Sequence, residues 1–439
     1  MSDPRTRRQT LRRSLMAAAL ATLALSAAAA AKPPAAVPAP PLPLATPESQ
    51  GMSSERLGRL HAEIERFVTE GRHAGAISLV ARNGRIVDWR TYGKRDLEAG
   101  LPMEKDTICR IYSMSKIVTS VAALMLLEET RFRLDDPVGG YLPALGHMKV
   151  MTGGTAERPL LADAKNPITI KHLFTHTSGL TYDFGDDTID RIYKAARIWE
   201  SPSLDEFVRR VSTVPLVQEP GERYTYSISI DVLGALVEKL SGRSLPDFVS
   251  ERLFRPLGMK DTGFFVPEAA RPRVASVYER GPDGRLQPAK GLRDGEPVTA
   301  LHTAPTLASG GGGLYSTTGD YARFMQMLLN GGQLDGVRIL SRKTVELMMA
   351  NHLNHMPRVT VLSNESDGFG LGGSVRLDLA KGNAPGSVGQ FGWAGAATTY
   401  ANLDPQEKTV ALLFVQHFPF DQEKIFWRFS TLVYAAIVD

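Results

Sequence analysis

Cysteine is almost absent from this sequence of 439 residues, in which Cys109 is the only one. One cysteine excludes an intrachain disulfide and any zinc or iron–sulfur centre built from cysteines. Histidine offers no substitute, because His352 and His355 are spaced H-x-x-H without the H-E-x-x-H pattern of zinc hydrolases. The sequence therefore predicts a reaction without a metal or another cofactor, and Cys109 is interpreted as a small buried hydrophobic residue.

Net charge is also nearly absent outside residues 1–31. The chain has 51 basic and 47 acidic residues, and five of the arginines and one aspartate lie within that first segment. The remainder then carries 46 residues of each sign. Binding of nucleic acid needs a basic face on the folded domain, so no nucleic-acid partner is expected.

Long apolar runs are missing after the N-terminal segment. Residues 5–13 read RTRRQTLRR, and residues 14–31 read SLMAAALATLALSAAAAA. A cationic stretch, an apolar core and a small-residue end are typical of a secretory signal peptide, predicted here over residues 1–31. The pair Arg7-Arg8 leaves both the twin-arginine and the general secretory route open. We expect an exported protein, periplasmic or secreted, with no stable membrane span after the signal is removed.

Seven prolines within residues 33–47 indicate an extended tether, predicted over residues 32–47. The folded domain is then expected to occupy residues 48–439. It should begin with a helix capped by Ser53 or Ser54, followed by a β-hairpin that turns at Asn83-Gly84. The apolar face of this helix is predicted to comprise Leu57, Leu60, Ile64 and Phe67.

Strands are predicted at both ends of the domain, and helices between them. The late strands are expected at about 393–403 and 409–416, before a final helix over 422–437. Candidate helices in the middle cover residues 115–129, 169–175, 204–213, 229–241 and 245–254. Because the strands at the two ends must pair, we expect an α+β fold with one antiparallel sheet, terminal helices on it, and a mostly helical insertion over about 111–300. The run SGGGG at 309–313 is expected to be the most flexible loop.

Three short motifs carry candidate chemistry. In Ser113-Met114-Ser115-Lys116, residues three apart on a helix share a face, so a lysine base lies beside a serine nucleophile. The run Tyr226-Ser227-Ile228-Ser229 follows later in the chain, and Gly392-Trp393-Ala394-Gly395-Ala396 opens a late strand. The two glycines around Trp393 suggest a strand edge where the backbone comes close to a ligand.

In this order the three motifs resemble those of the serine β-lactamase and penicillin-binding-protein superfamily. The likeness is to the class C β-lactamase branch, and within it to family VIII carboxylesterases. Further matching segments are 134–137, 173–180, 256–262 and 313–317. The resemblance implies that Ser113 is acylated, that Lys116 and Tyr226 relay its proton, and that the N–H groups of Ser113 and Ala396 bind the oxyanion. It also places Trp393 and Gly395 at the substrate.

Two departures from that family pattern point to the substrate. Trp393 stands where β-lactamases have a lysine for the substrate carboxylate, and Ile228 stands where they have an asparagine for an amide. Both changes favour an uncharged small-molecule ester. Alternatives left open are a β-lactamase or D-amino-acid peptidase, acyl transfer to an alcohol or amine, and a non-catalytic relative that binds β-lactams. No oligomeric state is predicted.

Ser178 is a rival nucleophile, because His176 lies two residues before it. Neighbours in a turn seldom face each other productively, so Ser178 is disfavoured. The chain also lacks the G-x-S-x-G elbow of α/β-hydrolases, since Pro385 occupies the first position of the nearest run.

Overall fold

The computed structural model describes residues 41–291, 306–356, 361 and 365–439. The predicted signal peptide lies outside these described residues, as does most of the predicted tether. Residues 41–47, expected to be tether, instead lie along the domain: Ile86 N donates to Pro43 O at 2.8 Å, Ala45 N donates to Ile86 O at 2.9 Å, and Leu42 is buried. Residues 41–47 are therefore part of the folded domain.

An eight-stranded antiparallel sheet lies at the centre of the fold. Its strands are β1 (Gly75–Arg82), β2 (Arg85–Asp96), β3 (Leu101–Pro102), β4 (Asp367–Phe369), β5 (Ser374–Arg376), β6 (Phe391–Gly395), β7 (Thr399–Asp404) and β8 (Thr409–Phe414). Their order across the sheet is β4-β5-β6-β7-β8-β1-β2-β3.

The two ends of the chain pair at the middle of this sheet, as predicted. β1 and β8 are antiparallel neighbours, with Leu79 opposite Leu412 and Val80 opposite Ala411. Every residue of both strands is buried. A strand covered on both faces reads as a continuous apolar run rather than an alternating one, which explains the sequence of β8.

Helices cover both faces of the sheet. In chain order, the α-helices of the described residues, those of the insertion included, are α1 (Ser54–Thr69), α2 (Ser115–Glu128), α3 (Ile170–Phe174), α4 (Thr188–Ala195), α5 (Leu204–Val211), α6 (Ser229–Ser241), α7 (Leu245–Val249), α8 (Arg255–Leu257), α9 (Thr318–Leu329), α10 (Arg342–Met349) and α11 (Ile425–Ala435). The terminal helices α1 and α11 pack on one face, and α9 packs on the other. Within the described part of the chain, no helix is both long and apolar enough to cross a membrane.

The beginning of the domain follows the prediction closely. Ser53 caps α1 by accepting a hydrogen bond from Arg56 N, and the predicted apolar face of the helix is buried. The hairpin of β1 and β2 turns at Asn83 and Gly84, whose φ angles are 53° and 76°. Left-handed φ at both central residues is the requirement that Asn-Gly meets.

Four predicted elements differ in detail. The strand expected over 393–403 is two strands, β6 and β7, joined by a turn at residues 396–398. The helix expected over 245–254 is α7 followed by a π-helical turn, Ser250–Phe254. The insertion also contains two hairpins, Lys149–Gly154 with Pro159–Asp163 and Tyr278–Arg280 with Leu286–Pro288. The final helix begins only at Ile425, because the chain before it turns at Asp421, which accepts from Ile425 N.

Candidate active site

Ser113 lies in a tight turn between the short strand Cys109–Arg110 and α2. The 3-10 turn Tyr112–Met114 buries its first and last side chains and leaves Ser113 half-buried. Tyr112 has a φ of 43°, a conformation rarely adopted by residues other than glycine. Backbone strain of this kind persists only where surrounding contacts hold it.

Three side chains from distant segments hold the turn. The side-chain amide of Gln416 makes the two hydrogen bonds that a paired strand would make. It accepts from Arg110 N and donates to Arg110 O, each at 3.0 Å. Tyr321 Oη on α9 donates to Met114 O at 2.9 Å. Thr399 Oγ1 on β7 donates to Ile111 O at 3.4 Å. The turn is therefore attached to the sheet on one side and to α9 on the other.

Lys116 is completely buried one helical turn after Ser113. Its Nζ donates to Ser113 Oγ at 3.1 Å, to Tyr182 Oη at 3.0 Å and to Gly311 O at 2.7 Å. An ammonium group has three N–H donors, so these contacts use all of them. Ser113 and Lys116 thus lie side by side, as predicted. The motif did not reveal the other two partners of Lys116, which are Tyr182 and Gly311.

The glycine-rich run 309–313 is not a loose loop, contrary to expectation. Besides the contact with Lys116, Thr119 Oγ1 donates to Gly310 O at 2.7 Å, and Ser115 Oγ accepts from Leu314 N at 3.1 Å. A Cβ on Gly310 would lie 2.9 Å from Ile230 O. The glycines therefore allow close packing between α2 and α6, and this need is invisible in the local sequence.

Tyr226 lies beside Lys116, but the two make contact through the ring. Lys116 Nζ is 4.8 Å from the centroid of the Tyr226 ring, while Tyr226 Oη accepts a long hydrogen bond of 3.4 Å from Trp393 Nε1. The tyrosine hydroxyl bonded to Lys116 is that of Tyr182. Tyr182 lies two residues after segment 173–180, which matches the family pattern. That position was the only feature of the sequence that could have indicated a role for Tyr182 at the site.

Five aromatic side chains form a continuous surface next to Lys116, which we call the aromatic wall: Tyr182, Phe184, Trp199, Tyr226 and Trp393. The Tyr182 ring stacks on Phe184 with centroids 4.5 Å apart, and it contacts Tyr226 at 5.4 Å. Trp199 lies parallel to Tyr182 at 6.1 Å, and Trp393 contacts Tyr226 at 5.5 Å. Phe184 is 56% exposed, so the wall extends from the buried lysine to solvent.

The end of β6 lies directly against the Ser113 turn. A Cβ at Gly395 would lie 2.3 Å from Ile111 O, so the glycine allows a close approach to the backbone of the Ser113 turn, whereas the sequence predicted an approach to a ligand. Ala396, the next residue, is half-buried and packs with Tyr112. The structure thus brings Ala396 and Ser113, the two predicted oxyanion donors, onto adjoining segments.

The second motif places its isoleucine differently from expectation. Ile228 is completely buried in the main core, so its side chain packs there instead of facing a substrate. Ser227 and Ser229 flank it and share a hydrogen bond of 2.8 Å. Position 228 still lacks the asparagine that binds an amide in β-lactamases, because isoleucine is apolar.

Ser178, the rival nucleophile, is completely buried. Its Oγ lies 2.7 Å from Ser229 Oγ and accepts from Leu180 N. His176 does not serve it, since His176 Nδ1 accepts from Ser227 N at 3.2 Å. Burial lowers the pKa of His176 well below its ordinary value, so the ring is neutral near pH 7. Ser178 therefore belongs to a buried hydrogen-bonded cluster with a structural role.

Cys109 is buried, and burial raises the pKa of its thiol. A thiol of this kind is a poor nucleophile, because the reactive species is the thiolate. Of the two spaced histidines, His352 bonds through Nε2 to Leu347 O at 2.8 Å. Over the residues that the structure describes, no group of three or more His, Cys, Asp or Glu side chains is placed to hold a metal ion.

The chain is similar to known proteins both in sequence and in structure. The family model described as Beta-lactamase matches residues 60–434. Protein Rv1367c of Mycobacterium tuberculosis is 37% identical, covering 82% of this chain and 89% of its own length. Esterase EstB of Burkholderia gladioli is 36% identical, covering 62% of this chain and 69% of its own. Among solved structures, "EstCE1, a hydrolase with promiscuous acyltransferase activity" superposes with a TM-score of 0.71 at 25% identity, covering 88% of this chain and 98% of that one.

Proposed function

Because the chain belongs to the beta-lactamase family, whose members include esterases and acyltransferases, we propose that it is an exported serine hydrolase that cleaves uncharged carboxylic esters. The observation that carries this proposal is the contact of 3.1 Å between Lys116 Nζ and Ser113 Oγ. A serine hydroxyl is a weak nucleophile and needs an adjacent base. The geometry supplies one within hydrogen-bond reach.

The reaction runs in two steps. Lys116, in its neutral form, takes the proton of Ser113 Oγ as that oxygen attacks the ester carbonyl carbon. The N–H groups of Ser113 and Ala396 stabilise the oxyanion. Collapse of the tetrahedral intermediate expels the alcohol, which receives the proton from Lys116, and leaves an acyl group on Ser113. Tyr226, the relay that the family resemblance implies, contacts Lys116 through its ring. Water then attacks the acyl-enzyme with Lys116 again as base, and the carboxylic acid is released.

The aromatic wall supports an uncharged, apolar substrate. The rings of Tyr182 and Tyr226 lie beside Lys116, and Trp393 stands, by the family resemblance, at the position of the carboxylate-binding lysine of β-lactamases. A substrate carboxylate would lose water there without gaining a cation as its partner, which is costly. An ester with an apolar acyl or alcohol group instead gains contact area with the rings. This difference weighs against a β-lactamase or D-amino-acid peptidase.

A panel of substrates tests this proposal. We expect p-nitrophenyl esters of graded acyl length to give a kcat/KM at least about 100-fold above nitrocefin and a D-Ala-D-Ala peptide, as expected for a site without their polar anchors. Ser113→Ala serves as the control for nonenzymatic release. A kcat/KM for nitrocefin or the peptide that equals the best ester value would contradict the proposed substrate class.

Export is proposed from the N-terminal sequence alone. Expression in a bacterial host and mass spectrometry of the N-terminus should give a mature protein that starts between about residues 27 and 34, by the usual geometry of signal cleavage. An intact Met1 in the cytoplasmic fraction, with no shortened form elsewhere, would contradict export and leave the esterase proposal standing.

A further inference from the structure

Gly311 lies between Lys116 and a buried carboxylate. Its C=O accepts from Lys116 Nζ at 2.7 Å, and its N–H donates to Asp231 Oδ1 at 3.0 Å. Ser309 Oγ donates to the same Oδ1 at 2.5 Å. Asp231 belongs to the first turn of α6 and is 1% exposed. Lys116 and Asp231 therefore bind the C=O and the N–H of the same glycine.

The polar contacts of Asp231 are directed at this loop. A Cβ on Gly311 would lie 2.4 Å from Asp231 Oδ2, so the carboxylate packs directly on the glycine backbone. Over the described residues, Oδ2 has no hydrogen-bond partner. Burial of such an oxygen costs free energy. The two hydrogen bonds on Oδ1 offset that cost, and both position residues 309–311.

The carbonyl of Gly311 restricts what the neutral lysine can do. A neutral amine has two N–H groups and one lone pair. A carbonyl oxygen can only accept, so it always takes an N–H of Lys116. The second N–H and the lone pair are then shared between the hydroxyls of Ser113 and Tyr182. A fixed Gly311 carbonyl thereby directs the lone pair to a hydroxyl group, and one of the two is the nucleophile.

We propose that Asp231 is a positioning residue for the acyl-transfer reaction: it fixes Gly311, and Gly311 orients Lys116 toward Ser113. This inference rests on the proposed function, in which Lys116 is the base. It assigns to the glycine-rich run a role in catalysis that depends on its carbonyl direction and not on flexibility.

Kinetics of five purified full-length variants test it with a p-nitrophenyl ester. Asp231→Ala should lower kcat about 10- to 100-fold, the cost of displacing a catalytic group by ~1 Å. KM should stay within about threefold, because the substrate contacts are unchanged. Asp231→Asn keeps an acceptor oxygen and should stay within about fivefold of the parent kcat.

Asp320→Ala is the matched control, because Asp320 is a similarly buried carboxylate that accepts from Asp261 N and Thr262 Oγ1. This variant should lower the melting temperature but leave kcat within about threefold of the parent value.

Each outcome decides the matter. A folded Asp231→Ala with parental kcat, or an equal loss of kcat in Asp320→Ala, would overturn the positioning role. If Asp231→Ala does not fold, Ser309→Ala removes one of the two hydrogen bonds on Oδ1 and should lower kcat about threefold or more at unchanged KM; parental kcat would overturn the inference. Lys116→Ala separates the two claims: if it retains activity, the proposed function fails, whereas an inactive Lys116→Ala beside a fully active Asp231→Ala contradicts only the role of Asp231.

Discussion

The two parts of the candidate site are built by different physical rules. The polar corner, formed by Ser113, Lys116 and Gly311, is held by directed hydrogen bonds of 2.7 to 3.1 Å. The aromatic wall is built mainly from ring contacts with centroids 4.5 to 6.1 Å apart, to which the Tyr182 and Tyr226 hydroxyls add one hydrogen bond each. A hydrogen bond weakens steeply when its angle or length changes, whereas ring packing tolerates many arrangements. Changes in the corner should therefore affect kcat, and changes in the wall should affect the choice of substrate.

The largest effect is expected in the polar corner. Ser113→Ala and Lys116→Ala should each lower kcat about 10³-fold or more, as when a nucleophile or its base is lost. Their double variant should cost little more, because both act in one step. A fluorophosphonate should label Ser113 alone, and Ser178→Ala should label normally. An adduct mapped to Ser178 by peptide mass spectrometry would contradict the assignment of the nucleophile.

Tyr182 and Tyr226 lie where the polar corner meets the aromatic wall, and their variants test which hydroxyl takes part in the reaction. Tyr226→Phe should lower kcat roughly 10²- to 10⁴-fold if its hydroxyl relays the proton. Tyr182→Phe removes a hydrogen bond on Lys116 and should cost about tenfold. Both variants keep their ring packing, so KM should change little. A larger loss in Tyr182→Phe than in Tyr226→Phe would transfer the relay to Tyr182.

Trp393 tests whether the wall sets the substrate class. Trp393→Lys should lower ester kcat/KM about tenfold and raise the ratio of nitrocefin to ester turnover, since a cation is restored beside the site. Trp393→Phe keeps an aromatic ring and is the control, with ester turnover within about threefold of the parent. An unchanged or lower ratio in a folded Trp393→Lys would mean that this residue does not determine the preference.

The smallest effect is expected at the exposed edge of the wall. Phe184→Ala should raise KM about three- to tenfold for esters with long acyl chains, because contact area is lost there. The KM for an acetate ester and the kcat for both should stay near the parental values. An equal rise in KM for the acetate ester would show that Phe184 acts on the fold and not on acyl contact.

Much of the fold could be predicted because local patterns report local structure. The face of α1, its cap at Ser53 and the Asn83-Gly84 turn depend on residues close in sequence, and all three were confirmed. The split of the predicted strand at residues 396–398 was missed, because Ala396 and Ala397 carry no turn signal of their own. That turn exists because β6 and β7 must pair beside the Ser113 turn.

The candidate site divides in the same way. The sequence by itself determined that Ser113 and Lys116 lie together, because three residues on a helix span one turn, and the order of motifs identified the family. Only the tertiary structure decided that Tyr182, Gly311 and Asp231 complete the surroundings of Lys116. Those partners come from segments 66 to 195 residues away from it along the chain, and no periodicity or propensity encodes a contact over such a distance. Long-range packing of α2 against α6 and the glycine-rich run produces it.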